Sequence, residues 1–360
     1  MNDMVFESSD PVLQEDLESI ARFDLDWSLL SGKTVFVTGA TGLIGSQMVR
    51  ALLSVDRIHK LGIKVIGLSR SKEKAERVFG DLLKRPGLSI KQGDVTGELK
   101  IDEKLDFIIH LASQTASKEF VTHPVETIDT ALWGTKNILE LAKKHESSAV
   151  VYASSMEMYG NPGPQENRTT ENELGYIDNL KVRSCYPEAK RMCENMCICY
   201  ASDYGVPVKI ARLAQTFGAG ISKNEGRVFA QFARSAIERK DIVLHTAGRS
   251  YGNYCYTADA ITGILTILLK GNQAEAYNVV NEACTMRIAE MAELVSDRLA
   301  EGKIKTVFDI PEDSNKFGYA ADVELRLSGR KLMDLGWSPK IAPDLTTMYK
   351  RLIKSFQSNS

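Results

Sequence analysis

The run Gly39-Ala40-Thr41-Gly42-Leu43-Ile44-Gly45 constrains this chain more than any other stretch. It follows five residues of strand character, Thr34–Thr38, and leads into 46–53, which reads as a helix. Strand, glycine turn and helix in that order predict the first unit of a doubly wound parallel sheet. Glycine lets the backbone turn sharply and lets a pyrophosphate come close. Free N–H groups at the helix start, backed by the helix dipole, then hold the phosphates. Gly39, Thr41, Gly42, Leu43, Ile44 and Gly45 are therefore candidate dinucleotide ligands. A tight turn with close helix–strand packing is the purely structural use of the same glycines.

The pattern continues along the chain. Apolar strand-like runs recur at 64–68, 88–92, 107–111, 149–153 and 208–212, with helical patterns between them, notably 125–145 and 187–204. Near-continuous apolar strands separated by helices predict an α/β fold with a parallel Rossmann sheet covered on both faces. Ligands of such sheets lie beyond the carboxyl ends of the strands. After about residue 213 the pattern loosens, with helices at 228–239 and 288–299 and short strands at 242–245 and 276–280. The expected organisation is an N-terminal helical extension over 1–30, a dinucleotide-binding domain over 31–213 with a return segment near 250–280, and a smaller α/β substrate domain over 214–360. In the extension, Asp10-Pro11 reads as the cap and first residue of a helix carrying Val12, Leu13, Leu17, Ile20 and Ala21 on one face.

A net charge of −2 over 360 residues offers no basic field for nucleic acid or an anionic membrane. Residues 1–7 lack the basic start and apolar run of a signal peptide, and no apolar stretch approaches spanning length. A cytoplasmic protein is expected. Cys193, Cys197 and Cys199 share one helical segment, but no histidine cluster accompanies them. Buried reduced thiols are expected, and no metal.

The chemistry is expected around Tyr186 and Lys190, four residues apart in Tyr186-Pro187-Glu188-Ala189-Lys190. On a helix this spacing puts phenol and ammonium on one face. The ammonium favours the phenolate and lowers the tyrosine pKa towards working pH. A phenolate beside a nicotinamide takes the hydroxyl proton of an alcohol as hydride leaves. Ser155 and Glu157 follow the fifth strand, where a hydroxyl can bind the same substrate oxygen and a carboxyl can move a proton. The structural alternatives are a turn-forming serine and a solvated loop charge.

These residues carry a resemblance. The glycine motif, Gly93-Asp94-Val95, His110-Leu111-Ala112-Ser113, Ser155 with Tyr159-Gly160, the Tyr186/Lys190 pair and Leu335-Gly336-Trp337-Ser338-Pro339 jointly resemble the extended short-chain dehydrogenase/reductases. Within these the likeness is to the sugar-nucleotide epimerase/dehydratase/decarboxylase group, and runs from about residue 33 to about residue 356. Arg183 to Arg191 and Gly226-Arg227-Val228-Phe229 follow the pattern of the UDP-glucuronate decarboxylases. The resemblance implies that Ser155, Glu157, Tyr186 and Lys190 are catalytic. It implies that Asp94 and Val95 hold adenine, and that Leu111, Ala112 and Ser113 line the cofactor. It places Gln215 and Arg227 near the nucleotide diphosphate, and it implies a homodimer built on 125–145 and 187–204; Met192 and Met196 fit that contact or core packing equally.

Three positions depart from the family pattern: Ala131 and Gln215 stand where asparagine is usual, and Gly252 stands where the decarboxylases carry arginine. Arg249, just upstream, is the candidate substitute. Met156 replaces the aspartate of the sugar dehydratases, which argues against dehydration. The end of the second strand carries Ser69-Arg70-Ser71-Lys72 rather than the acidic residue of NAD sites. Arg70 suits a 2′-phosphate, so of NAD and NADP the sequence leans to NADP. The expected reaction is transient oxidation of a nucleotide sugar at C4 followed by decarboxylation or epimerisation, with no net redox change. The alternatives are an NADPH-dependent ketone reductase and a non-catalytic dinucleotide sensor.

Overall fold

The computed structural model describes residues 6–163, 166–310 and 323–358. Its centre is a seven-stranded sheet of order β10-β6-β5-β4-β1-β2-β3. The strands are β1 (Thr34–Thr38), β2 (Lys64–Ser69), β3 (Leu88–Gln92), β4 (Phe107–His110), β5 (Ala149–Ser155), β6 (Val208–Leu213) and β10 (Ala276–Val279). All pairings in it are parallel, with Val35 opposite both Val65 and Phe107. Every residue of β1 is buried, as a strand covered on both faces requires. The chain leaves β1 for β2 and β3 on one side, then returns to β4 on the other. That reversal opens a crevice at the carboxyl ends of β1 and β4.

Helices α1 (Pro11–Ala21), α2 (Leu43–His59), α8 (Thr257–Lys270) and α11 (Leu345–Ser358) belong to one face, and α5 (Pro124–His145) and α6 (Cys185–Tyr204) to the other. The shorter α3 (Lys72–Phe79), α4 (Glu119–Thr122), α7 (Val228–Glu238), α9 (Ile288–Leu294) and α10 (Arg330–Met333) complete the set. Strands β7 (Gln215–Phe217), β9 (Tyr251–Tyr256) and β11 (Asn281–Arg287) form a second sheet of order β11-β9-β7, and β8 (Ile242–Leu244) pairs with β12 (Thr306–Phe308).

Local chemistry sets the ends of these elements. Asp10 caps α1 by accepting the N–H groups of Val12 and Leu13, with Pro11 in the first turn. Helix α6 stops where Gly205 takes a left-handed conformation, φ +66. The helix pattern read over 288–299 is α9 followed by a wider π turn over Val295–Leu299. Trp337, from the Leu335–Pro339 motif, is buried and donates to the Asp259 carbonyl and Thr262. Asp259 in turn accepts the N–H groups of Lys340, Ile341 and Ala342, which anchors the approach to α11.

Cys193, Cys197, Cys255 and Cys284 are buried and Cys185 is half-buried. Cys199 departs from the expectation of buried thiols: it is exposed, because it falls on the outer face of α6, away from its packing with α5. Among the described residues, no helix is long and apolar enough to cross a membrane.

Candidate active site

A cleft of about 650 Å³ lies at the carboxyl ends of the central strands. The glycine turn forms its floor. Gly39 has φ +64, and a Cβ there would meet Leu111 and Ala112 backbone atoms at 2.9 Å. A Cβ on Gly45 would meet the Gly39 carbonyl oxygen at 2.1 Å. These two positions admit no side chain, so the strand and helix backbones come close and the turn stays open above. Helix α2 starts at Gly42 with no side chain capping it, which leaves its first N–H groups directed at the cleft. A pyrophosphate fits such a cradle. Thr38, at the end of β1, accepts the N–H groups of Leu111 and Ala112 at 3.1 Å each and contacts His110 Nδ1 at 2.7 Å. Burial, and secondarily the charge of Lys190, holds His110 down at about 3, so it is neutral.

At one end, Arg70 and Asp94 line the cleft 4.0 Å apart, and Lys74 on α3 lines it as well. No acidic residue stands at the end of β2, and Ser69 contacts Thr41 at 3.4 Å. Val95, Leu111, Ala112 and Ser113 also line the cleft.

Tyr186, on the first turn of α6, and Ser155, at the end of β5, line the cleft together, and the Ser155 hydroxyl favours the phenolate. Its ring stacks on Phe120, with centroids 4.2 Å apart and planes 10° from parallel. One turn on, the Lys190 ammonium lies 5.7 Å from the Tyr186 ring centre and donates to the Ala153 carbonyl at 2.8 Å. Tyr186, Ser155 and Lys190 all line the cleft. The expected lowering of the phenol does not hold in the protein alone. Burial is the largest influence and pushes Tyr186 well above the ordinary tyrosine range, and the Glu157 charge adds to it. Ser155 and Arg183 pull the other way. Lys190 is itself buried, and that desolvation brings it down to about 8.

Glu157 lines the cleft and forms an ion pair with Arg183 at 2.8 Å. The Arg183 guanidinium lies 5.2 Å from the centre of the Phe120 ring. Arg183, Phe120 and Tyr186 thus form one connected group, with Glu157 joined to its cationic end. Sequence reasoning gave Arg183 no role, although its place three residues before Tyr186 puts it within one helical turn of the phenol. Lys74, missed for the same end as Arg70, sits four residues after it.

Gln215 and Arg227 line the far wall, Arg227 paired with Glu225 at 2.9 Å. Arg249 falls outside the group: it is exposed and is not among the residues lining the cleft. It follows Gly248, which turns at φ +62 against Ala289 before β9 begins, and this turn keeps it off the cleft wall. Gly252 has no room for the arginine of the decarboxylase pattern, since a Cβ there would meet the Tyr254 ring at 2.4 Å. Among the described residues no cluster of histidine, cysteine or carboxylate could hold a metal.

Fold and cleft together define an α/β enzyme of the dinucleotide-dependent Rossmann class. The sequence model of the NAD dependent epimerase/dehydratase family matches residues 35–281, and the chain belongs to that family. It is 29% identical over 314 residues to UDP-glucuronic acid decarboxylase 6 of Arabidopsis thaliana, covering 86% of this chain and 85% of that one. Its fold matches a UDP-glucose 4-epimerase of Thermotoga maritima with a TM-score of 0.72 at 20% identity, covering 91% of this chain and 99% of the other. It also matches an NAD-bound dTDP-glucose 4,6-dehydratase of Streptomyces venezuelae with a TM-score of 0.73 at 22% identity, covering 91% and 97%.

Proposed function

We propose that this protein transiently oxidises a nucleotide sugar at C4 and then decarboxylates or epimerises it, with no net redox change. The observation that carries the reading is the Ser155–Tyr186–Lys190 group, assembled in one cleft with the glycine turn. Bound NAD(P) supplies the acceptor and later the donor of hydride. Tyr186 takes the proton of the C4 hydroxyl, and Ser155 holds the same oxygen. The buried charge of Lys190, 5.7 Å from the Tyr186 ring centre, favours the phenolate. A C4 ketone acidifies C5, and a uronate at that stage is a β-keto acid that can lose carbon dioxide. Glu157 is assigned to move a proton at C5, and its ion pair with Arg183 at 2.8 Å supports that role by orienting it. Arg183 supplies a cation near a substrate carboxylate at a site whose pattern lacks arginine at residue 252. The decarboxylase relatives support this branch of the reaction.

Arg70 and Lys74 beside a strand end without a carboxylate support NADP over NAD. Gln215 and Arg227 are assigned to the nucleotide diphosphate, for which arginine's forked donors are suited. Apolar side chains exposed on α5 and α6, among them Trp133 and Met192, support a homodimer through those helices. Free cysteines support a cytoplasmic site.

The test is mass spectrometry of purified protein incubated with NAD+ or NADP+ and a panel of UDP- and dTDP-sugars, including UDP-glucuronate. Loss of carbon dioxide, or unchanged mass with altered stereochemistry, is the expected outcome, abolished in Tyr186→Phe. Stoichiometric consumption of reduced cofactor would replace this reading with a simple reductase.

A further inference from the structure

The segment before β1 takes no part in the chemistry above, yet it contributes three buried acidic residues. Glu7 is fully enclosed and pairs with Arg57 of α2 at 3.0 Å and with Arg85 at 2.8 Å. Asp10 and Asp16, both buried, reach residues of the C-terminal half that pack on the same face. Asp16 Oδ2 accepts the Tyr256 hydroxyl at 2.7 Å, and its Oδ1 accepts Arg351 Nε of α11 at 2.9 Å. The Tyr256 oxygen also accepts the N–H of Ala219 at 3.2 Å. Gln47 of α2 donates to the Ala219 carbonyl at 2.7 Å. The next N–H, of Gly220, donates to Ser355 Oγ at 3.1 Å, and Ser355 donates to Asp10. Gly220 turns at φ +78, and a Cβ there would lie 3.0 Å from Leu13 of α1 and 3.1 Å from Gln47.

The residues held in this way begin the connection between β7 and α7. Both ends of that connection are cleft wall: Gln215 and Thr216 before it, Arg227 and Val228 after it. Three hydrogen bonds fix the Ala219–Gly220 backbone, and two of them lead back to carboxylates of α1, Asp10 at its N-cap and Asp16 at its middle. Helix α2, which opens at the glycine turn, supplies the third.

We propose that the N-terminal helix is a clamp that seats the β7–α7 connection against α2, making Asp16 and Tyr256 positioning residues for the nucleotide diphosphate. Neither residue lines the cleft. The inference rests on the reading of that wall as the nucleotide-sugar side. Tyr256→Phe keeps the ring that packs under Gly218 and removes only the oxygen shared by Asp16 and Ala219. Asp16→Leu removes the acceptor, and Asp16→Asn keeps an amide oxygen able to accept from Tyr256.

The full-length, cofactor-loaded protein is titrated with UDP and with dTDP, NADPH and NADH affinities are measured by fluorescence, and KM and kcat are separated with whichever nucleotide sugar is turned over. Losing one seating hydrogen bond predicts about fivefold weaker diphosphate binding and a KM raised by about the same factor in Tyr256→Phe and Asp16→Leu, with kcat and dinucleotide affinity held within about twofold. Asp16→Asn recovers most of the affinity. A lowered unfolding midpoint with KM and diphosphate affinity unchanged overturns the clamp. If the wild-type protein binds neither UDP nor dTDP, the functional reading fails on its own. Hydrogen exchange at residues 217–227 then decides: faster exchange in Tyr256→Phe upholds the clamp, and equal exchange overturns it.

Discussion

Replacing Lys190 by methionine should give an inactive protein that is more stable than the wild type at neutral pH. Lys190 is 3% exposed, and burial brings its ammonium from 10.5 down to about 8. That lowering corresponds to roughly 3 kcal/mol of unfavourable charge burial at pH 7. Methionine keeps the length of the side chain but gives up the hydrogen bond to the Ala153 carbonyl, worth about 1 kcal/mol. The expected net gain is about 2 kcal/mol at pH 7. Between about 8 and 10.5 the unfolded chain holds a proton that the folded chain has released, so wild-type stability from this group rises with pH across that window. The advantage of the variant should therefore shrink above pH 8 and vanish at about pH 10, where the remaining penalty equals the lost hydrogen bond. Buried tyrosines also titrate at alkaline pH, but they are common to both proteins and cancel in the difference. Urea denaturation of the cofactor-free proteins at pH 7, 9 and 10 measures that difference. A methionine variant less stable than wild type at pH 7, or a gap equal at all three pH values, refutes the reasoning.

Three further outcomes follow from the same geometry. Glu157→Gln removes a negative charge that holds the Tyr186 phenol up, so any residual activity should have the acid limb of its kcat profile at lower pH; an unmoved limb with full turnover removes Glu157 from the mechanism. Gly45→Ala puts a methyl group onto the Gly39 carbonyl and should abolish dinucleotide binding, read by NADPH fluorescence, with a loss of stability of about 1–3 kcal/mol. Arg70→Ser should weaken NADPH binding about tenfold while leaving NADH within about twofold, and equal losses for both would assign Arg70 to adenine stacking instead.

What the sequence disclosed was what local spacing encodes. The β1 run, the glycine turn and α2 are contiguous, and Tyr186 and Lys190 are separated by one helical turn, so strand order and tertiary contacts were not needed to read them. The cap at Asp10 and the buried face of α1 were legible for the same reason. Interactions across long separations were not. The sequence assigns a return segment near 250–280 to the dinucleotide-binding domain, but that 276–279 forms the edge of the large sheet is set by its pairing with β6, far upstream in the chain. Arg183 becomes part of the site only when β5 delivers Glu157 to it. The Tyr186–Lys190 spacing predicts proximity correctly, but the direction in which the phenol shifts is set by how completely the fold encloses it, which no spacing reveals. Arg249 looked like a substitute for a missing arginine by position along the chain, and the turn at Gly248 decides otherwise.

The late arrival of β10 has a consequence for how the protein is made. As the chain leaves the ribosome, β6 is exposed along one full edge until Ala276–Val279 has been synthesised, while α8, which packs over β5 and β6, is finished just before it. A nascent chain stalled earlier offers an open row of peptide groups on an otherwise assembled sheet, the kind of edge that recruits strands from other molecules. Strand ten is thus the stopper of this sheet, and chains truncated before it should depend on chaperones and aggregate in a way that chains truncated just after it do not.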